Sequence, residues 1–153
     1  MFFGVWSYIT CHGLGPLIIY DGRLNSLQYI NILDDHLSTA FQKFPSTQLQ
    51  KILYQQDNAG PHRSAMTQNY LQENRISLLQ WPANSPDLNI MENIWSIVDN
   101  RLLKLPINNI DDLKSALQHV WTEISHNTIE KLFKSMPQRL RQVINFKGFS
   151  CKS

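Results

Sequence analysis

The sequence predicts an α/β fold, a sheet with helices packed on it, followed by a helical C-terminal region. Three observations point there. In the first half, short runs rich in aromatic and β-branched residues alternate with runs of helical period; the later part carries helical runs alone; and 42% hydrophobic residues in 153 positions suffice for one sizeable core. The same composition excludes an intrinsically disordered chain. Two cysteines, Cys11 and Cys151, sit near opposite ends without metal-ligand spacing, which excludes a disulfide framework or a zinc site and suits a reducing compartment. No signal-peptide pattern opens the chain and no apolar run approaches the roughly 20 residues of a membrane span, so no membrane association is expected. A single domain is expected, with a sheet-bearing core over 1–104 and a helical part over 105–153.

Phe2 to Thr10 and Pro16 to Tyr20 read as two strands of a hairpin, punctuated by Gly13 and Gly15 and closed by Asp21-Gly22. Asn25 and Gln28 have capping-box spacing, and Ile30, Leu33, Leu37 and Phe41 follow as the buried stripe of a helix over 26–42. Lys51 to Gln56 reads as a third strand that delivers Asp57 at its C-terminal end. Pro61 opens a helix expected to end near Asn74, a residue tolerant of the left-handed cap, before a fourth strand over Ile76 to Trp81. Leu88, Met91, Trp95, Val98 and Leu102 form the next helical stripe, and Ile110, Leu113, Leu117, Val120 and Ile124 another. The last helix starts near Asn127, which has capping-box spacing to Glu130, and Pro137 is expected to break or kink it.

Charge is uneven. Residues 1–100 hold five Lys/Arg against eight Asp/Glu, whereas 101–153 hold nine against four, and from Lys131 onward there are six basic residues and no acidic one. Such a tail suits either a phosphate backbone or a solvated helix face.

Two carboxylates stand out by position. Asp57 follows a strand, where α/β sheets place functional side chains, and Glu92 lies in the first turn of a helix at the border of its apolar stripe; together they suit a divalent metal. Local pattern leaves other roles open. Asn89 and Glu92 have capping-box spacing, Asp57-Asn58-Ala59-Gly60 is good turn chemistry, and Asp99 is a rival ligand seven residues beyond Glu92. His62 at the helix start suits orienting a carboxylate, contacting a phosphate or no catalytic role at all. Serine nucleophile elbow, P-loop and dinucleotide glycine patterns are absent.

The stretches Gln56-Asp57-Asn58-Ala59-Gly60-Pro61-His62 and Trp81-Pro82-Ala83-Asn84-Ser85-Pro86-Asp87-Leu88-Asn89-Ile90-Met91-Glu92-Asn93-Ile94-Trp95 closely resemble the Asp-Asp-Glu catalytic domain of Tc/mariner superfamily transposases. Asp57 and Glu92 enclose 34 residues, the separation of the Tc-like branch. The resemblance extends over Gly15 to Gly22, Ser135-Met136-Pro137-Gln138-Arg139 and Gly148; Ile90 departs from it, standing where the family usually has proline.

The resemblance implies a ribonuclease-H-like mixed sheet with flanking helices, a nuclear location, and three carboxylates binding two Mg²⁺ (or Mn²⁺) ions, Asp57 being the second and Glu92 the third, with Asn58 and His62 supporting them. It implies transposon-end DNA as substrate rather than a small molecule, possible self-association, and phosphate contacts from Lys131, Lys134, Arg139 and Arg141. The family's first aspartate lies on a central strand upstream of the part matched by Phe2 to Thr10, so the expectation is a fold lacking that strand, an incomplete ligand set, an incomplete sheet and poor solubility. Asp21, on an edge strand of the family's sheet, is expected to lie too far from Asp57 to substitute. The alternative reading is a catalytically inactive nuclear remnant that binds DNA or protein.

Overall fold

Aromatic and β-branched residues near the start of the chain form strands, but shorter ones than the sequence predicts. The computed structural model describes residues 2–82 and 85–145. Lys147, Gly148, Cys151 and Lys152, and the motif residues Ala83 and Asn84, lie outside the described residues. Backbone contacts group the chain into two compact units, residues 2–8 with 18–82 and residues 9–17 with 85–145.

Strands β1 (Phe3–Trp6), β2 (Ile9–Thr10), β3 (Gly13–Leu14) and β4 (Ile18–Asp21) replace the predicted two-stranded hairpin. β1 pairs antiparallel with β4, Phe3 opposite Asp21 and Trp6 opposite Ile18, and β2 pairs with β3. Two residues separate β1 from β2, whereas three, including Pro16, separate β3 from β4. The extra residue and the missing proline N–H interrupt the ladder. Gly13 closes the β2–β3 turn at φ 135°, a region closed to residues with a Cβ.

In the first unit the capping box forms as predicted. Asn25 Oδ1 accepts from Gln28 N at 2.9 Å and Gln28 Oε1 accepts from Asn25 N at 3.0 Å, which starts α1 (Ser26–Phe41). Its buried stripe is Tyr29, Leu33, Leu37 and Ala40, turned by one residue at each end from the predicted one. These pack with Trp6, Tyr8 and Leu71 into one core, where each fully buried large apolar side chain contributes about 1.5–3 kcal/mol.

The predicted third and fourth strands shrink to a single parallel bridge between Tyr54 and Leu78, with Tyr54 N donating to Ser77 O at 2.8 Å and Leu79 N to Tyr54 O at 2.9 Å. A 3-10 turn takes up Ser46–Lys51. Among the described residues neither run has a second strand beside it, and an isolated pair of strands is marginal. The helix predicted from Pro61 is two helices, α2 (Gly60–Arg63) and α3 (Ala65–Glu73), broken at Ser64, whose hydroxyl accepts from Thr67 N and so caps α3. The left-handed residue that closes α3 is Arg75 at φ 55°, not Asn74 at φ −87°.

The second unit is helical: α4 (Ile90–Leu102), α5 (Ile110–Thr122) and α6 (His126–Asn145). Asn89 caps α4, so the helix begins at Ile90 and buries Ile90, Ile94 and Val98; Leu88 is buried in the 3-10 turn Pro86–Leu88 before it. Met91 and Trp95, predicted for the stripe, flank it half-buried. α5 buries Leu117, Val120 and Trp121. Ser125, not Asn127, caps α6, accepting from Thr128 N at 3.2 Å, and α6 continues through Pro137. Trp121 Nε1 donates to Gly15 O at 2.9 Å and Gln118 Nε2 to Leu17 O at 3.1 Å, fastening the segment that carries β2 and β3 to α5. No described helix is long and apolar enough to cross a membrane.

Candidate active site

Asp57 opens the loop between the Tyr54 bridge and α2. Its Oδ1 accepts from Ala59 N at 2.9 Å, which is the turn chemistry of Asp-Asn-Ala-Gly. The same oxygen lies 2.6 Å from His62 Nδ1, and the side chains are 54% and 15% exposed respectively. That contact is short but not collinear, since buried Nδ1 has no aligned hydrogen-bond partner. Oδ2 takes no part in either contact and belongs to a half-exposed side chain. Asn58 is exposed beside it.

Behind Asp57 stands a polar network that the sequence does not reveal. Tyr29, with no exposed surface, donates its hydroxyl to Gln56 Oε1 at 2.8 Å and shares a second 2.8 Å bond with the Tyr54 hydroxyl. Gln56 Nε2 in turn donates to His62 O at 3.1 Å, and Trp81 Nε1 donates to Gln56 O at 3.1 Å. The Tyr29 and His62 rings lie 4.1 Å apart at 32°. One tyrosine thus holds both flanks of the Asp57 loop, Gln56 by hydrogen bond and His62 by ring contact. Each buried polar atom so paired avoids a desolvation cost of about 1–3 kcal/mol.

The electrostatics follow. The close polar approach of the His62 ring nitrogen, opposed by partial burial and aided by Ala59 N–H, holds the Asp57 carboxyl below the usual aspartate range. Burial pushes the Tyr54 phenol up to about 12, with the Tyr29 bond offsetting part of the rise and the Asp57 charge adding to it. Tyr29 is also raised, by burial first and then by Tyr54 and Asp57. A depressed carboxyl contributes stability that is present above its unfolded value of about 3.9 and is lost as pH falls through the lower folded value. Carboxyl-carbon NMR of Asp57 is therefore expected to titrate below that value, and His62→Ala to move the midpoint upward; a midpoint unmoved by His62→Ala would contradict this origin of the shift.

Glu92 stands in the first turn of α4, exposed. Its carboxylate does not close a capping box. Asn89 Oδ1 accepts from Met91 N at 3.2 Å, and Glu92 Oε1 meets the Asn89 side-chain amide at 3.4 Å rather than the Asn89 backbone N–H. Asp99, the rival, is exposed further along α4, and Asp34, on α1, accepts from the Tyr70 hydroxyl at 3.0 Å. Of the basic residues expected on DNA, Lys131, Lys134 and Arg141 are exposed on α6. Lys134 pairs with Glu130 at 2.6 Å. Arg139 differs from the expectation: it is half-buried and commits Nε and Nη1 to protein acceptors.

A family model for DDE superfamily endonucleases matches residues 3–114, most of the chain and both carboxylates. The chain belongs to the DDE superfamily endonucleases. The Tc1 transposase of Caenorhabditis elegans is 32% identical over 149 residues, covering 97% of this chain and 53% of the relative. The Tcb1 transposase of Caenorhabditis briggsae is 30% identical with the same coverage. The chain thus spans about half the length of these relatives. The crystal structure of the Mos1 mariner transposase catalytic domain superposes with a TM-score of 0.80 at 18% identity, covering 98% of this chain and 75% of that one, which shows the ribonuclease-H-like fold.

Asp57 and Glu92 offer exposed carboxylate oxygens, the hard ligands that Mg²⁺ and Mn²⁺ take. Among the described residues no three His, Cys, Asp or Glu side chains gather into a metal site. Tyr29, Tyr54 and Gln56 are the residues that sequence reasoning missed. Two signals were available: Tyr29 lies four residues before Leu33, on the continuation of the α1 stripe, and Gln56 opens the motif that carries Asp57.

Proposed function

We propose that this DDE superfamily endonuclease is the catalytic-domain part of a Tc/mariner-type transposase acting on transposon-end DNA in the nucleus, with Asp57 and Glu92 as the second and third carboxylates of a divalent metal site. The observation that carries the reading is the pair of long motifs in register, one placing Asp57 in the loop that follows the Tyr54 bridge and the other opening α4 with Glu92, with 34 residues between the two carboxylates. Solved structures of the Mos1 catalytic domain with Mg and with Mn, and Mos1 paired-end complexes including one with a left transposon end, support the same metals and substrate for this chain. When bound, paired divalent ions supply an activated water or 3′-hydroxyl and stabilise the leaving oxygen. The chain's own residues prepare that chemistry. His62 and Ala59 N–H keep Asp57 ionised and fix one of its oxygens, Asn58 lies exposed beside it, and Asn89 steadies the Glu92 side chain. Lys131, Lys134 and Arg141 take phosphates; the exposed Lys134–Glu130 pair is worth little and yields readily.

Mn²⁺ titration of the chain, followed through the carboxyl-carbon signals of Asp57 and Glu92, is expected to broaden both at the same metal concentration. With a transposon-end duplex, Ala at Lys131, Lys134 or Arg141 is expected to lower the salt slope of binding by about one each. A chain whose carboxyls ignore Mn²⁺ while the duplex still binds would instead be a non-catalytic DNA-binding module.

A further inference from the structure

We infer that Arg139 is a positioning residue for Glu92. The inference rests on the reading of Glu92 as a metal ligand and concerns what aims that carboxylate. Arg139 lies on α6, yet its guanidinium reaches the segment that leads into α4. Nη1 donates to Asp87 O and to Asn93 Oδ1, both at 2.9 Å, and Nε donates to Ser135 Oγ at 2.9 Å. Asp87 belongs to the 3-10 turn before the Asn89 cap, and Asn93 directly follows Glu92 in the first turn of α4. One side chain therefore grips both sides of the Asn89–Glu92 stretch.

The grip is itself oriented. Ser135 donates its own hydroxyl hydrogen to Leu132 O at 2.6 Å, which leaves its oxygen lone pairs for Arg139 Nε. A guanidinium delivers donors in fixed, diverging directions, whereas a lysine ammonium is a single point on a flexible stem. Among the described residues the Glu92 carboxylate meets the Asn89 side-chain amide at 3.4 Å, a weaker hold than these 2.9 Å bonds.

The test uses the full chain, with Arg139→Gln, Arg139→Lys and, as the milder variant that keeps the arginine, Ser135→Ala. Amide hydrogen exchange at residues 91–94 is expected to quicken about tenfold or more in Arg139→Gln, the scale of lost charge-assisted bonds, while residues 117–121 of α5 exchange at the wild-type rate. Arg139→Lys is expected to restore little of the protection, and Ser135→Ala to quicken the same amides to a smaller degree. The second readout is Mn²⁺ alone: broadening of the Glu92 carboxyl signal is expected to need about tenfold more Mn²⁺ in Arg139→Gln. Unchanged exchange at 91–94, or equal quickening across α4 and α5, overturns the inference, as does full rescue by lysine. Wild-type Glu92 that ignores Mn²⁺ defeats the metal reading instead, a result separate from the exchange pattern.

Discussion

Tyr29→Ala is expected to lower the unfolding free energy by about 3–5 kcal/mol, the largest loss in the first unit. The ring has no exposed surface, touches His62 at 4.1 Å, and packs in the cluster with Leu33, Leu37 and Leu71, so its removal leaves a cavity. Tyr29→Phe separates the two contributions. It keeps the ring and removes the hydroxyl, stranding Gln56 Oε1 and withdrawing one partner from Tyr54, for an expected loss of about 1–3 kcal/mol. Urea unfolding monitored at equilibrium measures both. The phenylalanine variant should also free the Asp57 loop, seen as faster amide exchange at Ala59 and His62; if Tyr29→Phe is as stable and as protected as wild type, the network does not hold the loop.

Trp121→Ala is expected to cost a similar amount, about 3–5 kcal/mol, in the second unit. Trp121 is 6% exposed, its ring lies 5.1 Å from that of Trp95, and its indole N–H is spent on Gly15 O, 106 residues away in sequence. Trp121→Phe retains much of the packing but leaves a buried carbonyl unpaired, with an expected loss of about 1–3 kcal/mol. The two variants differ in what they release. The alanine variant should lower protection through α5 and α6, whereas the phenylalanine variant should act first on β2 and β3. Protection of the Ile9 and Leu14 amides is the deciding measurement, and full retention in Trp121→Phe would show that Gln118 alone fastens that segment.

Local chemistry was legible in the sequence where both partners sit within one turn. The Asn25–Gln28 capping box and the Leu33–Leu37 stripe of α1 follow from spacing alone, because a helix brings residues three and four apart together whatever else the chain does. Glu92 shows the limit of that reasoning, since its capping-box spacing is real but its carboxylate meets the Asn89 side chain instead of the backbone. The runs around Tyr54 and Leu78 carry strand composition, yet strand length depends on neighbours that composition does not specify. Arg139 reads as one more cation of a basic tail because charge pattern is silent on which guanidinium is desolvated against Asp87 and Asn93. Tyr29 was missed for the same reason: its hydroxyl partners, Tyr54 and Gln56, arrive from 25 and 27 residues away.

The four indoles of this chain are shared evenly, Trp6 and Trp81 with one unit and Trp95 and Trp121 with the other. The latter two rings stand close and tilted by 31°, so their electronic transitions are expected to couple and give a paired signal of opposite sign in circular dichroism, absent from Trp95→Phe. Nature has thereby supplied an optical label for the half of the molecule that carries Glu92, readable without attaching a dye.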